Sequence, residues 1–429
     1  MRWDLIKTKS LLSSQARVQA PWVKVTIGDY TFGVFDEKTK QWGKDNIGFY
    51  IPFSIQYPQY ITELQVVKIN GQVNTYTLSI SYPITQHDDP NFFEKVFSSV
   101  SRSRKIIFTY GDAENPAYIY KNEEAIITKV NQNFNLQGST INYTVNAVSS
   151  ASLTTDGSIT MLSPGRKVKP SEEIKKLFRT NKSLQQTFTG MSSADLDTFI
   201  AGDDMEVEID SKQNISALDY INYLAGCMIP QGSEPGLSKE IYIMSIYDDS
   251  ITNANKLHSK KGPYFKVDKV STVMAPGEAY EIDVGINTAT IVRAFSIEHN
   301  DNYSIYYENQ QLAHPENYTR RINADGLWED VYAPTSMSKG AAHSIEASDK
   351  VWWTKATQFP INATITIQGL LRPATLMQYV KLNVIFPGGH KHLSSGIYIV
   401  TRQTDNISGS GYITTLGLTR IKGDQDKLD

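Results

Sequence analysis

Residues 60–82 read YITELQVVKINGQVNTYTLSISY. Tyr60 to Ile69 and Gln72 to Tyr82 alternate apolar with polar side chains, the period of a strand with one buried face. Asn70-Gly71 separates them, and both residues tolerate positive φ, so the pair predicts a hairpin. Working outward, Val23 to Ile27 alternates and ends at a Gly28-Asp29 turn. Phe49 to Ile55 is a further strand run. Asp89-Pro90 opens a short helix, 91–101, with Phe92, Phe93, Val96, Phe97 and Val100 on one stripe. Arg104 to Tyr110, Tyr118 to Asn131 and Gly138 to Ser149 follow as strands. Roughly seven strands with one helix between their halves predict an antiparallel barrel or sandwich.

The middle of the chain has a different grammar. Residues 150–165 are rich in Ser, Thr and Gly. Pro170-Ser171-Glu172-Glu173 predicts a Ser-capped helix to about Arg179. Ser192 to Asp195 starts another turn. Ser216 to Met228 predicts a second helix, with Ala217, Tyr220, Ile221, Leu224 and Ala225 on one face and Pro230 as its stop. Lys239 to Ile246, Phe265 to Ser271, Tyr280 to Val284 and Thr290 to Ile297 return to strand. Residues 300–350 are polar and poorly periodic, which predicts loops lying against something else. Ile361 to Leu370, Val380 to Phe386, Gly396 to Thr404 and Gly411 to Arg420 alternate again around Gly-rich turns.

The expected class is mainly β with an α+β insertion: two antiparallel β-barrel domains plus a mixed middle region. The expected division is 1–20 as a polar arm, 21–155 as a first barrel domain and 156–260 as a helical and mixed domain. Residues 261–355 follow as a mixed β and loop region. Residues 356–429 form a second barrel, completed by strands from the preceding regions. The two barrels share a rhythm but no clear residue-by-residue repeat.

The chain has 429 residues, which is enough for several domains, and a net charge of −3. Near neutrality leaves no electrostatic footprint for wrapping nucleic acid, though DNA could pass through a lumen. No apolar run approaches the length of a membrane span. The start of the chain is too polar for a secretory signal, so assembly in a cytoplasm is expected. Cys227 is the single cysteine. It sits in an apolar helical run, and the reading preferred is a small buried hydrophobe rather than a reactive thiol.

Candidate chemistry is sparse. His390 and His392 form an H-x-H pair that could hold zinc, but no nearby Cys, Asp or Glu completes a set, and a solvated turn is preferred. Asp88-Asp89, Asp203-Asp204 and Asp248-Asp249 are adjacent acids whose side chains diverge on a strand. Asp203 to Asp210 alternates acid with apolar, as a strand with one solvated face does. Residues 33–42 read as turn. No nucleophile elbow, zinc-protease helix, P-loop or dinucleotide fingerprint is present. No catalytic residue, cofactor site or metal site is assigned, and a non-enzymatic protein is expected. Trp352-Trp353 is the most unusual pair, offering large rigid contact area for a partner, with burial under the preceding loops as the alternative.

Five segments carry a family resemblance. They are IPFSIQYPQYITELQVVKINGQVNTYTLSISYPI (51–84), FFEKVFSSV (92–100), ISALDYINYLAGCMIPQG (215–232), GLLRPATLMQYVKLNVIF (369–386) and SSGIYIVTRQTDNISGSGYITTLGLTRIKG (394–423). Together they resemble the hub proteins of phage baseplates and long tails, and the late-control and spike-base proteins of contractile injection systems. The resemblance spans most of residues 20–429 and is weakest in the middle. It implies two barrels like the tail-tube fold and a homotrimer with pseudo-sixfold symmetry. The implied partners are the tail tube or a distal adaptor, a trimeric central spike, the tape-measure protein and surrounding baseplate proteins. DNA would pass through the lumen, and the chain would reside in the virion tail. Two other classes compete: a peripheral receptor-binding β-sandwich gripping glycan through Trp352, Trp353 and residues 303–307, and a peptidoglycan-cleaving enzyme. The latter needs two carboxylates about 5–10 Å apart.

Overall fold

A computed structural model of the chain describes residues 8–10, 21–28, 30–32, 35–36, 41–42, 61–84, 89–98, 104–112, 119–135, 137, 139–149, 158–161, 166–209, 212–228, 230–231, 242–247, 264–269, 279–285, 292–299, 320–322, 328–330, 361–368, 379–409 and 411–423. The expected strand over Phe49 to Ile55 and the pair Trp352-Trp353 lie outside the described residues, as do Asp88, Asp248, Asp249 and residues 303–307. The class is mainly β, as the alternation indicates.

The first half contributes β1 (Pro21–Ile27), β2 (Ile61–Ile69), β3 (Thr75–Pro83), α1 (Phe92–Ser98), β4 (Lys105–Asp112), β5 (Ile119–Asn135) and β6 (Thr140–Ser149). Their order in the sheet is β2-β3-β6-β5-β4-β1, all neighbours antiparallel. Leu64, Val66, Tyr76, Leu78, Ile80, Phe108, Ile141, Tyr143 and Val145 are buried in one core. Helix α1 covers it with Phe93, which lies 5.2 Å from the Tyr143 ring centroid. Phe92, Phe93, Val96 and Phe97 of the expected stripe face this core, and residues 99–101 of the expected helix lie outside the described residues.

The middle region comprises β7 (Ser158–Met161), β8 (Arg166–Val168), α2 (Pro170–Thr180), α3 (Lys182–Thr187), α4 (Leu196–Phe199), β9 (Val207–Ile209), β10 (Lys212–Ser216), α5 (Ala217–Cys227), β11 (Tyr242–Tyr247) and β12 (Tyr264–Lys269). Strands pair as β7-β10, β8-β9 and β11-β12, all antiparallel. Helices α2 and α5 bury their apolar faces against β11 and β12 in a second core that includes Cys227. The Ser216 hydroxyl caps α5 by accepting from the Asp219 N–H at 3.0 Å. Helix α2 corrects the expected Ser cap. Lys169 occupies the cap position without a side-chain bond. The buried Asp204 carboxylate accepts the Ser171 N–H from a distant part of the chain.

The second half supplies β13 (Ala279–Gly285), β14 (Val292–His299), β15 (Ile361–Gln368), β16 (Tyr379–Ile385), β17 (Gly396–Ser408) and β18 (Gly411–Gly423). Their order is β14-β15-β18-β17-β16-β13. Numbering each set of six by position in the chain, both halves read 2-3-6-5-4-1. Five strands also agree in direction. The first differs, because β1 lies antiparallel to β4 whereas β13 lies parallel to β16. Thr8–Ser10 of the polar arm adds a short parallel strand beside β13.

The agreement extends to register. A bulge between Ile61 and Glu63 on β2 matches one between Val292 and Ala294 on β14. The pairing of β5 with β6 shifts at Asn146/Ala147, and that of β17 with β18 shifts at the corresponding Val400/Arg402. Leu64 then corresponds to Phe295, Val66 to Ile297, Leu78 to Ile365, Val145 to Leu416 and Phe134 to Ile407. Apolar character is retained but identity is not, which is why the sequence shows no repeat.

The Asn70-Gly71 turn sits where the three parts meet. The Asn70 N–H donates to the Thr401 carbonyl of β17 at 3.0 Å. Asn222 of α5 donates to the Gly71 carbonyl, and Ser245 of β11 donates to the Asn70 side chain. Gly71 has φ +72°, and an added Cβ would lie 3.4 Å from Asn222. Gly71→Ala is expected to cost about 1–2 kcal/mol for the left-handed backbone alone, measured as a lowered urea midpoint.

Candidate functional site: the seam between the two sheets

The halves join through one strand. Gly396–Ile399 of β17 pairs with β16. Its remaining length overhangs β16, and Arg402–Ser408 pairs antiparallel with β2. All of β17 is also backed by β18. The hairpin of β17 and β18 thus belongs to both sheets. Tyr398, Val400, Leu416 and Leu418 fill a third core, that of the second half, while Ile407 and Tyr412 fill the core of the first half. Strand β1 comes against β17, so the first sheet rolls around the shared hairpin.

Strand alternation brings a polar layer into this seam. Leu64, Val66 and Lys68 take the inward register on β2, and Gln403, Asp405 and Ile407 take it on β17. Lys68 Nζ donates to Glu123 Oε1 at 2.6 Å, with both side chains nearly buried. Tyr76 and Tyr110 donate to Glu123 Oε2 at 2.8 and 3.1 Å. Thr414 donates to Asp405 Oδ1, and Gln403 donates to Oδ2, each at 2.7 Å. Burial pushes the Asp405 carboxyl above the usual carboxylate range, while Thr414, the Lys68 charge, Gln403 and Tyr412 pull it back. Both oxygens of each carboxylate are engaged internally. The layer therefore fixes geometry and register. Sliding β17 by one residue would turn Gln403 and Asp405 outward and leave Lys68 inside without them.

The residues singled out in the sequence are not gathered at this seam. His390 and His392 are exposed on the turn between β16 and β17, where His392 Nδ1 lies 2.6 Å from the Ser394 hydroxyl. Asp203 and Asp204 diverge. Asp203 meets Tyr242 and Lys269 at 2.7 and 2.5 Å, while Asp204 is buried at the start of α2. Among the described residues of the expected strand over Asp203 to Asp210, only Val207–Ile209 form strand, because Asp204 is drawn inward to bond the helix backbone. Residues 35–36 and 41–42 pair as a short ladder within the expected turn. Sequence reading missed Lys68, Glu123 and Asp405. The signal was available for Lys68, an inward position of the alternating run Tyr60 to Ile69. Glu123 falls within the expected strand Tyr118 to Asn131, and Asp405 lies one residue beyond the expected strand Gly396 to Thr404.

Removing one partner of the buried pair leaves a charge without compensation. Lys68→Met is expected to cost about 3–5 kcal/mol, and Lys68→Met with Glu123→Leu less than the sum of the two single changes, measured by urea unfolding. Asp405 binds its proton more tightly folded than unfolded. Its ionisation therefore opposes folding above the raised pKa, and that cost is relieved as pH falls through it. Relative to Asp405→Asn, the wild-type chain should gain stability on acidification, seen as a narrowing or reversal of any midpoint advantage the variant holds at pH 8.

No protein-family model and no curated protein sequence matches the chain. Solved structures do. A tail protein from Neisseria meningitidis superposes with a TM-score of 0.50 at 10% identity, covering 94% of this chain and 97% of that one. A 43 kDa tail protein of a Shewanella oneidensis prophage gives 0.46 at 9% identity, with 94% and 98% covered. A type VI secretion component of Escherichia coli gives 0.43 at 9% identity, with 88% and 78% covered. The chain has the fold of the Neisseria tail protein, matched along nearly the whole of both molecules.

Proposed function

We propose that this chain is a structural, non-enzymatic hub of a phage-type tail tip or baseplate. Three copies form a ring of six similar units, which joins a hexameric tail tube or its adaptor to a trimeric central spike. DNA and the tape-measure protein pass through the lumen without sequence-specific binding. The chain is assembled in the host cytoplasm and resides in the virion tail. The observation that carries this reading is the internal repeat. Two six-stranded units share one order and two matching bulges, so a single polypeptide holds two successive positions of a sixfold ring. The shared fold with the Neisseria tail protein supports the tail assignment. The seam supports a structural role, since its buried charged groups satisfy one another.

The mass of the purified protein by light scattering, followed by negative-stain imaging, tests the proposal. Three chains in a threefold ring with six lobes are expected. A single-chain species at every concentration, alone and with the spike, would overturn it. Residues 300–355, with Trp352 and Trp353, are proposed to contact neighbouring baseplate proteins. Trp352→Ala with Trp353→Ala should leave thermal unfolding unchanged and reduce baseplate assembly. Normal baseplates from that variant would remove this contact.

A further inference from the structure

The seam inside the chain has a counterpart that the described residues do not fill. In the second half, β17 overhangs β16, and the overhang is occupied by β2, the second strand of the first half. In the first half, the equivalent strand β5 overhangs β4, whose ladder ends at Ile126. Among the described residues, no strand lies along the outer edge of Lys129–Phe134. The strand equivalent to β2 is β14, and among the described residues it pairs with β15 alone.

The side chains at these two edges are incompletely covered. Phe134 lies opposite the buried Ile141, in the inward register, yet is 56% exposed. Phe295 and Ile297 lie opposite the buried Ile365 and Ala363 but are only partly buried themselves. Their counterparts at the filled seam, Ile407, Leu64 and Val66, are fully buried.

The geometry points to an antiparallel pairing between the overhang of β5 in one copy and β14 in a second copy of this chain. This inference rests on the ring reading and names the contact that would close it. The seam sets the register. Ile407 faces Leu64, Asn406 faces Gln65 and Asp405 faces Val66. Phe134 therefore faces Phe295 of the next copy, Asn133 faces Ser296 and Gln132 faces Ile297. The exposed ring of Phe134 and the partly buried ring of Phe295 become a cross-strand pair, and the open ladder is completed. The contact joins unlike edges, so it is heterologous and closes only as a ring. Internal seams and intermolecular seams then alternate.

Asn133 and Ser296 are both exposed, so cysteines there leave the core untouched. In the full chain carrying Asn133→Cys and Ser296→Cys, copper-catalysed oxidation should give linked species up to three chains on non-reducing gels. Neither single variant should do so. Directly opposed residues bring their Cβ atoms to about 4.5–5.5 Å, near disulfide reach. A second variant, Phe134→Asp, should weaken association about tenfold by sedimentation without changing the unfolding midpoint. Rings of three chains that neither cross-link nor respond to Phe134→Asp would overturn the strand pairing and leave the ring intact. A single-chain species at every concentration, with no cross-link, would overturn both.

Discussion

Lys68 is a lysine inside a sheet core, held there by Glu123 and facing the strand that carries Asp405. Nothing in hydrophobic burial favours this arrangement, since withdrawing the ions from water costs more than an apolar layer would. What the layer supplies is a unique register between β2 and β17. That register determines how the first sheet rolls, where β18 crosses from one core to the other, and how the halves are set relative to each other. The Asn70-Gly71 turn lies immediately beyond Lys68 and extends the same constraint to the middle region through Asn222 and Ser245.

The repeat gives this arrangement its meaning. Matching bulges fix the correspondence between halves residue by residue, although the side chains have diverged from Tyr143 to Thr414 and from Leu64 to Phe295. Sheet order and bulge position are properties of the backbone and tolerate any apolar residue of suitable size. Divergence reaches the seam as well. Lys68, Asp405 and Gln403 mark the internal junction, while Gln132 and Val130 stand at the positions equivalent to Asp405 and Gln403. A junction made within the chain and one made between chains can thus share a backbone plan and differ in chemistry.

The middle region explains why the hairpin turn is tolerated at so crowded a place. Its core is built from α2 and α5 over β11 and β12, with Val73 of the turn packed against it. Asn222 and Ser245 add polar contacts to the same turn. Asp204 illustrates the local logic: a carboxylate that alternation would place in solvent is buried to bond the start of α2, from a segment more than thirty residues away.

Much of the architecture was legible in sequence because it is local. Period-two alternation located β2, β3, β6, β15, β17 and β18. The Asn-Gly pair located the hairpin, and the stripes at helical spacing located α1 and α5. These signals depend only on which face of an element is buried. The seam was not legible, since pairing Arg402–Ser408 with residues more than three hundred positions earlier leaves no local trace. The repeat was hidden because the halves share strand order in the backbone, whereas equivalent side chains differ in identity and, at Gln403 and Val130, in polarity as well. Sequence by itself determined the elements and their buried faces. Tertiary structure alone decided that a lysine and an aspartate from opposite ends of the chain share one buried layer, because only folding brings their strands together.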